Sequence, residues 1–321
     1  MKPTRRFASW RTLTSALLGL TLLLSACGDS AEEVAADPGS DEPEVVLRIG
    51  AIPDQEPERL QRTYGLLADY LESQLESQLG SVTVEYVPVT DYQGAVSGFR
   101  VGDLDAVWFG GLTGVQARLE VDAAQAIIQR DIDERFTSVF IASVDSGVEP
   151  VANVAGLSVL AGRSFSFGSE SSTSGRLMPQ SFLTEAGIDI DSGFDGAPGF
   201  SGSHDATIEL VSAGTYEVGA LNSQVWDDRV AEGVVDTERV IEIFRTPEYY
   251  DYHWVAQPDL DSRFGDGFAD RLTEAFTSLD SSDPDHAEIL DLFGAESFII
   301  TNNGNYATIE AVAVEAGLIR P

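Results

Sequence analysis

The chain has 321 residues, of which 43% are hydrophobic, and its formal net charge is −34. A charge of this sign and size argues against nucleic acid and an anionic membrane surface as binding partners, because both are polyanions. About 280 residues follow the N-terminal segments, which is enough for two modest domains with their own cores.

Residues 1–26 have the layout of a signal peptide, with the basic residues first and an apolar run from Leu13 to Leu24 after them. The run is too short to span a bilayer. It ends in Leu24-Ser25-Ala26-Cys27, which resembles the bacterial lipobox, and Cys27 is the only cysteine in the chain. We therefore expect Cys27 to be lipidated and to anchor the protein to the outer face of the cell membrane. An ordinary cleaved peptide with a chance cysteine is the alternative.

Residues 27–43 are predicted to form a flexible linker. The segment is rich in Asp, Glu, Ser, Gly and Pro and contains no aromatic residue. Such a composition cannot bury enough apolar surface to fold. No later segment is apolar and long enough to span a membrane, so the expected membrane contact is the lipid alone.

Strands and helices alternate through the first part of the folded region. The hydrophobic pattern predicts strands at residues 45–50, 82–87 and 106–109, and helices at residues 56–79 and 92–101. This alternation is typical of a parallel sheet with crossover helices.

A second series begins near residue 136. It contains predicted strands at 138–142, 165–168, 218–221, 240–244 and 252–256, and predicted helices at 174–185, 206–213, 267–279 and 306–316. We predict an α/β fold of two lobes, each a mainly parallel sheet flanked by helices. Lobe 1 comprises residues 44–140 and 250–321, and lobe 2 comprises residues 141–249. The cleft between them, at the carboxyl ends of the strands, is the predicted ligand site.

Polar and glycine-rich loops follow several predicted strands, at residues 90–92, 109–114, 168–175 and 202–205. Hydroxyls and free backbone N–H groups at a helix start suit an oxyanion. Each loop taken alone is equally compatible with an ordinary capped helix or turn. The aromatic segment 249–254 is either a packing cluster at the lobe crossing or a ligand contact.

The order of these motifs resembles the phosphate/phosphite/phosphonate-binding protein family of ABC importers, which has the type 2 periplasmic-binding-protein fold. The matching segments are Ile49-Gly50-Ala51-Ile52-Pro53, Thr90-Asp91-Tyr92, residues 105–110, residues 165–175 with Ser-Ser-Thr-Ser-Gly, and Gly202-Ser203-His204-Asp205. Within the family, residues 108–111, 219–222 and 249–252 most resemble the branch assigned to selenate uptake.

The resemblance implies a ligand site. Its oxygens would be held by Ser172, Thr173 and Ser174, with His204 and Tyr92 as further donors. An aspartate that faces the ligand, and accepts a proton from a protonated one, matches Asp251. The remaining predicted ligand-binding residues are Gly111, Thr113 and Asn222. No cofactor is implied, and three histidines with one lipidated cysteine supply a metal centre poorly.

Two departures from the family pattern narrow the range of possible ligands. A ligand-facing Tyr of many relatives is missing from Gly111-Leu112-Thr113-Gly114. Where binders of aminoalkyl phosphonates carry an acidic residue, this chain has Gln224. Both departures favour a compact tetrahedral oxyanion over an aminoalkyl phosphonate.

The resemblance implies a monomeric binding protein that closes on its ligand by a hinge motion and passes it to an ABC permease and its ATPase. A sensor subunit that reports to a membrane signalling system fits the same sequence. A hydrolase would use Ser172 and His204 as nucleophile and base, but the chain lacks a Gly-x-Ser-x-Gly elbow.

Overall fold

The computed structural model describes residues 45–79 and 82–320. The predicted signal peptide, the lipidated Cys27 and the linker to residue 43 lie outside these residues. No helix in the described part of the chain is long and apolar enough to cross a bilayer.

The described strands are β1 (Val45–Ala51), β2 (Val82–Tyr86), β3 (Ala106–Phe109), β4 (Gln125–Arg130), β5 (Ser138–Ser143), β6 (Phe165–Phe167), β7 (Gly199–Phe200), β8 (Val218–Asn222), β9 (Val240–Arg245), β10 (His253–Ala256) and β11 (Phe298–Ile300). The described α-helices are α1 (Pro57–Leu79), α2 (Tyr92–Val101), α3 (Gly111–Glu120), α4 (Met178–Glu185), α5 (His204–Ser212), α6 (Ser223–Ala231), α7 (Leu260–Phe264), α8 (Phe268–Thr277), α9 (Pro284–Phe293) and α10 (Ala307–Glu315).

These strands form two sheets, one in each lobe. The sheet of lobe 1 has the order β11-β4-β10-β3-β1-β2, and that of lobe 2 has the order β7-β6-β8-β5-β9. The chain passes into lobe 2 just before β5 and returns to lobe 1 with β10. The two-lobed α/β fold is thereby confirmed.

Both sheets are mixed rather than mainly parallel. In lobe 1, β1 runs parallel to β2 and β3, whereas β10 runs antiparallel to β3 and β4, and β11 antiparallel to β4. In lobe 2, β6 runs parallel to β7 and β8, whereas β5 runs antiparallel to β8 and β9. Because β10 enters its sheet directly from lobe 2, without a crossover helix, it runs against its neighbours.

The sheet of lobe 2 is buried on both faces, as the alternation of its strands requires. Phe140 of β5 packs into one core cluster, and the flanking Val139 and Ile141 pack into another. Lobe 1 has one larger core in which the rings of Trp108 and Trp254 lie 5.8 Å apart. These cores hold the strand ends, and therefore the loops that follow them, in fixed positions.

Several elements differ from the prediction. Helix α3 begins inside the glycine-rich segment 109–114, which the sequence pattern indicated as a loop. It begins there because Gly110 caps it in an extended conformation and the Thr113 hydroxyl donates to the Gly110 carbonyl. The helix predicted at 174–185 is a π-helical turn, Thr173–Leu177, followed by α4. Such π-helical turns are frequent at functional sites. Strands β4 and β11 and helices α6 and α9 were not predicted, because their apolar patterns are short.

Candidate functional site

The predicted ligand-binding residues stand where helices begin. Tyr92 begins α2, Gly111 begins α3, Thr173 begins the π-helical turn before α4, His204 begins α5, and Asn222 caps α6. Helix N-termini present N–H groups and about half a positive charge each. The hydrogen bonds described below bring these helix starts to one region between the lobes. The positive ends of several helices therefore point into one place, where an anion would be stabilised.

The turn of residues 172–174 lies at the centre of this region. The Ser172 hydroxyl accepts a hydrogen bond from the Gly175 amide at 2.9 Å, which fixes the turn. The Thr173 hydroxyl accepts one from the Leu112 amide of lobe 1, also at 2.9 Å. Ser174 is 1% exposed, and its hydroxyl has no hydrogen-bond partner among the described residues. Buried hydroxyls are nearly always bonded, so the Ser174 hydroxyl is a candidate for a ligand contact.

Asp251 presents a second buried polar atom. Its Oδ1 accepts a hydrogen bond from the Gly111 amide at 2.8 Å, and its Oδ2 has no partner in the described part of the chain. Burial raises the pKa of Asp251 to about 7, against the lowering effect of the Gly111 amide. A Cβ on Gly110 would lie 3.0 Å from Thr173 Oγ1 and 3.2 Å from Asp251 Oδ1. The two side chains therefore meet over Gly110.

Tyr92 contributes a third buried polar atom, its hydroxyl oxygen. Its side chain is buried, and its hydroxyl completes no hydrogen bond with any described residue, although Ser172 lies close to it. Burial, together with the nearby Asp54 carboxyl, raises the pKa of Tyr92 well above its ordinary value. The phenol therefore stays protonated and is a hydrogen-bond donor.

His204 is held in one orientation by both lobes. Its backbone amide donates to the Asp54 carbonyl at 2.9 Å, and its Nδ1 lies 3.4 Å from the Asn222 amide, which donates to it. Burial lowers the pKa of His204 to about 4, so the ring is neutral. Since Nδ1 is the acceptor, Nε2 carries the proton and lies 3.3 Å from the Tyr252 hydroxyl.

Asp54 and Tyr252 belong to the same network, but the sequence did not predict them as site residues. The Tyr252 hydroxyl donates to Asp54 Oδ2 at 2.8 Å and accepts from the Asn222 amide nitrogen Nδ2 at 3.1 Å. Burial raises the pKa of Asp54 to about 6, against the hydrogen bond from Tyr252, which lowers it. The available signal was position, because Asp54 lies just beyond the carboxyl end of β1.

Two predicted site residues, Gly111 and Thr113, make hydrogen bonds to other groups of the protein. The Thr113 hydroxyl donates to the Gly110 carbonyl at 3.2 Å, and the Gly111 amide donates to Asp251. Both contacts hold the start of α3 against the site. A direct ligand contact by Gly111 or Thr113 remains a prediction. No group of three His, Cys, Asp or Glu side chains within the described ranges is arranged to hold a metal ion.

The sequence matches a known protein family over most of the chain. Residues 49–306 match the family described as "ABC transporter, phosphonate, periplasmic substrate-binding protein". The chain belongs to this family. A member is the extracytoplasmic binding component of an ABC transporter, which takes a small ligand and works with a permease and an ATPase. Members of this family are substrate-binding proteins, so the chain is not an enzyme, and the hydrolase alternative is wrong.

Two individual relatives have names that agree with this family. The chain is 46% identical over 275 residues to the probable ABC transporter phosphite binding protein PhnD1 of Prochlorococcus marinus, covering 86% of this chain and 91% of that protein. It is 29% identical to the phosphate-import protein PhnD of Mycolicibacterium smegmatis over 64% of each.

Solved structures show the same architecture. The structure of Prochlorococcus marinus PhnD1 in complex with methylphosphonate superimposes with a TM-score of 0.82, at 46% identity, over 85% of this chain and 99% of that one. A binding protein component of an ABC phosphonate transporter from Pseudomonas aeruginosa has a TM-score of 0.72 at 17% identity, over 85% of this chain and 86% of that one. The second likeness shows the fold alone.

Proposed function

We propose that the chain captures phosphite or methylphosphonate outside the cytoplasmic membrane for import. The observation that carries this proposal is the cluster of buried polar atoms without a partner among the described residues, contributed by Tyr92, Ser174 and Asp251. The relative that is 46% identical is named as a phosphite binding protein, and its structure holds methylphosphonate. Both ligands are compact tetrahedral oxyanions.

The atoms of the cluster match the chemistry of such a ligand. The hydroxyls of Tyr92 and Ser174 donate to ligand oxygens, and the Nε2–H of His204, whose hydrogen bond to the Tyr252 hydroxyl is long at 3.3 Å, is shared with the ligand. Hydrogen bonds to a charged oxygen are roughly twice as strong as neutral ones. Asp251 Oδ2 accepts a hydrogen bond from a ligand P–OH group when the carboxyl is ionised, and donates one to a ligand oxygen when it is protonated. The net charge of −34 repels anions, but salt screens this field over about 8 Å. Local donors therefore determine binding.

Ligand entry requires the lobes to separate. Thr173 of lobe 2 accepts a hydrogen bond from Leu112 of lobe 1, and His204 of lobe 2 donates to Asp54 of lobe 1. These contacts bury the site: His204 is 0% exposed. We infer that the protein is a monomer whose two lobes open and close about the crossing segments near residues 136 and 250. The first crossing lies before β5, slightly earlier than the boundary at residue 140 predicted from the sequence.

A thermal-shift panel tests the cargo. The purified protein is heated with phosphite, methylphosphonate, phosphate, aminoethylphosphonate, sulfate, selenate or selenite at fixed pH and salt. A ligand at 100 times its Kd adds about 2.7 kcal/mol of stability, which raises Tm by about 5 °C. We expect the largest shifts with phosphite and methylphosphonate, and a smaller radius of gyration by X-ray scattering with the same ligands. A shift with selenate alone would support the selenate branch and contradict the proposed cargo.

The N-terminal segment is proposed to tether the protein. Cys27 follows the lipobox-like Leu24-Ser25-Ala26, and a lipid on its sulfur would hold the binding protein near the permease. We expect the wild-type protein in the membrane fraction of cells and Cys27→Ser in the soluble extracytoplasmic fraction. An unchanged distribution of Cys27→Ser would show that this cysteine is not the anchor.

A further inference from the structure

The side chain of Gln224 crosses from one lobe to the other. It leaves the first turn of α6 in lobe 2 and ends against lobe 1, where its Nε2 donates to the Phe293 carbonyl at 2.9 Å. Its Oε1 accepts a hydrogen bond from Arg130 NH1 at 2.5 Å. One amide side chain thus makes two hydrogen bonds to the opposite lobe.

The Arg130 guanidinium is held rigidly in place to receive Gln224. Its Nε and NH2 donate to the two carboxylate oxygens of Asp133 at 2.8 and 2.7 Å, and NH1 also donates to the Phe293 carbonyl at 2.7 Å. The guanidinium lies over the rings of Trp108 and Tyr252, with its carbon 5.4 and 5.0 Å from their centroids. Such a fixed cation makes the bond to Gln224 charge-assisted and costs little ordering on closure.

Gly294 forms part of the lobe 1 surface that the Gln224 side chain contacts. It ends α9 in the left-handed conformation, with φ of 62°, where glycine is strongly preferred. A Cβ at this position would overlap the Gln224 amide nitrogen. The glycine therefore leaves the space that the Gln224 side chain occupies.

Gln224 is also connected to the proposed ligand site. Its backbone amide donates to Asn222 Oδ1 at 2.7 Å, and Asn222 Nδ2 donates to the Tyr252 hydroxyl at 3.1 Å. The Arg130 guanidinium in turn lies over the Tyr252 ring. Asn222 and Gln224 therefore engage neighbouring groups of lobe 1, one at the site and one beside it.

We infer that Gln224 is an interlobe latch that stabilises the closed form and slows ligand release. The inference rests on the proposed function, because it assumes that ligand leaves when the lobes open. The two bonds of Gln224 to lobe 1 exist only when the lobes are together. Opening breaks both, whereas the first encounter with ligand precedes them, so the latch acts on the dissociation rate.

Gln224→Ala tests the latch from lobe 2. We expect methylphosphonate to dissociate at least about 30-fold faster, the lower limit for losing one charge-assisted and one neutral hydrogen bond. The association rate constant should change by less than about threefold, since affinity changes within one interface act mostly on dissociation. Stopped-flow binding measures both rate constants.

Gly294→Ala tests the latch from lobe 1, because its methyl group displaces the Gln224 amide. We expect a similar acceleration of dissociation, and no further acceleration when Gln224→Ala is added to it. Glu232→Gln is the matched control, since Glu232 also crosses the lobes, to Arg59 at 3.0 Å, with 42% of its side chain exposed. Exposed ion pairs contribute little, so its dissociation rate should change less than about twofold.

The outcomes separate the latch from the cargo. A Gln224→Ala protein that binds methylphosphonate and releases it within twofold of the wild-type rate would overturn the latch and leave the proposed function intact. Additive effects of Gln224→Ala and Gly294→Ala would also overturn it. A wild-type protein that binds neither methylphosphonate nor phosphite would overturn the proposed cargo and the latch together.

Discussion

Replacing Tyr92 by phenylalanine is expected to weaken methylphosphonate binding about 10- to 100-fold without destabilising the ligand-free protein. The Tyr92 hydroxyl is buried and completes no hydrogen bond with the residues that the structure describes. A bond to a charged ligand oxygen is worth about 1.5–3 kcal/mol, which sets the loss of affinity. Its removal costs the ligand-free protein nothing, because no protein group loses a partner. Calorimetric titration and chemical denaturation measure the two effects.

Tyr70→Phe is the matched control, and its effects should be opposite. The Tyr70 hydroxyl donates to the Ala275 carbonyl at 2.8 Å in the core of lobe 1. Its removal leaves a buried carbonyl without its partner, so the free energy of unfolding should fall by about 1 kcal/mol while the affinity for methylphosphonate stays the same. If Tyr92→Phe behaves like Tyr70→Phe, Tyr92 has a structural role and our assignment of the site is wrong.

As pH rises from 5 to 8, the ligand-free wild-type protein should lose stability relative to the Asp251→Asn protein. Burial raises the pKa of Asp251 to about 7 in the folded protein, whereas the unfolded value is near its ordinary 3.8. Between these values the folded state binds more protons, so stability falls with rising pH and levels off above 7. The contribution is about 2–3 kcal/mol between pH 5 and 8. Asn keeps an oxygen for the Gly111 amide.

Urea denaturation at pH 5 and pH 8 measures this difference. Asp54, whose pKa burial raises to about 6, and His204, whose pKa burial lowers to about 4, shift stability in opposite directions over this range. Both act equally in the wild-type and Asp251→Asn proteins, so they cancel in the comparison. Asp189→Asn is the control: hydrogen bonds from Ser192 lower the pKa of Asp189, so it does not titrate between pH 5 and 8. A pH dependence that Asp251→Asn leaves unchanged would show that the buried carboxyl does not hold the proton.

The strongly patterned elements were predictable from the sequence. Helix α2 and strand β3 match the predicted bounds of residues 92–101 and 106–109. Helix α1 follows because its apolar residues recur every three or four positions and Pro57 stands at its first position. Short elements escaped, as β11 shows: three residues carry too little periodicity to separate a strand from a loop.

The order of motifs along the chain was enough to predict the family and the two-lobed α/β fold. It also indicated which loops to consider for the proposed site, because each motif is a short run of neighbouring residues. The sequence by itself did not determine which polar atoms of those loops remain free. Thr173 and Gly111 bond to other loops of the protein, whereas the hydroxyls of Tyr92 and Ser174 find no partner among the described residues.

Only the tertiary structure decided which of these polar atoms are bonded and which are free. It also brought Gln224 to Arg130, which is 94 residues away in sequence. The physical reason is that a hydrogen bond depends on distances and angles between groups from different elements. Helix and strand patterns specify which face of an element is buried. The packing of two lobes decides which donor then meets which acceptor, and which donors are left for a ligand.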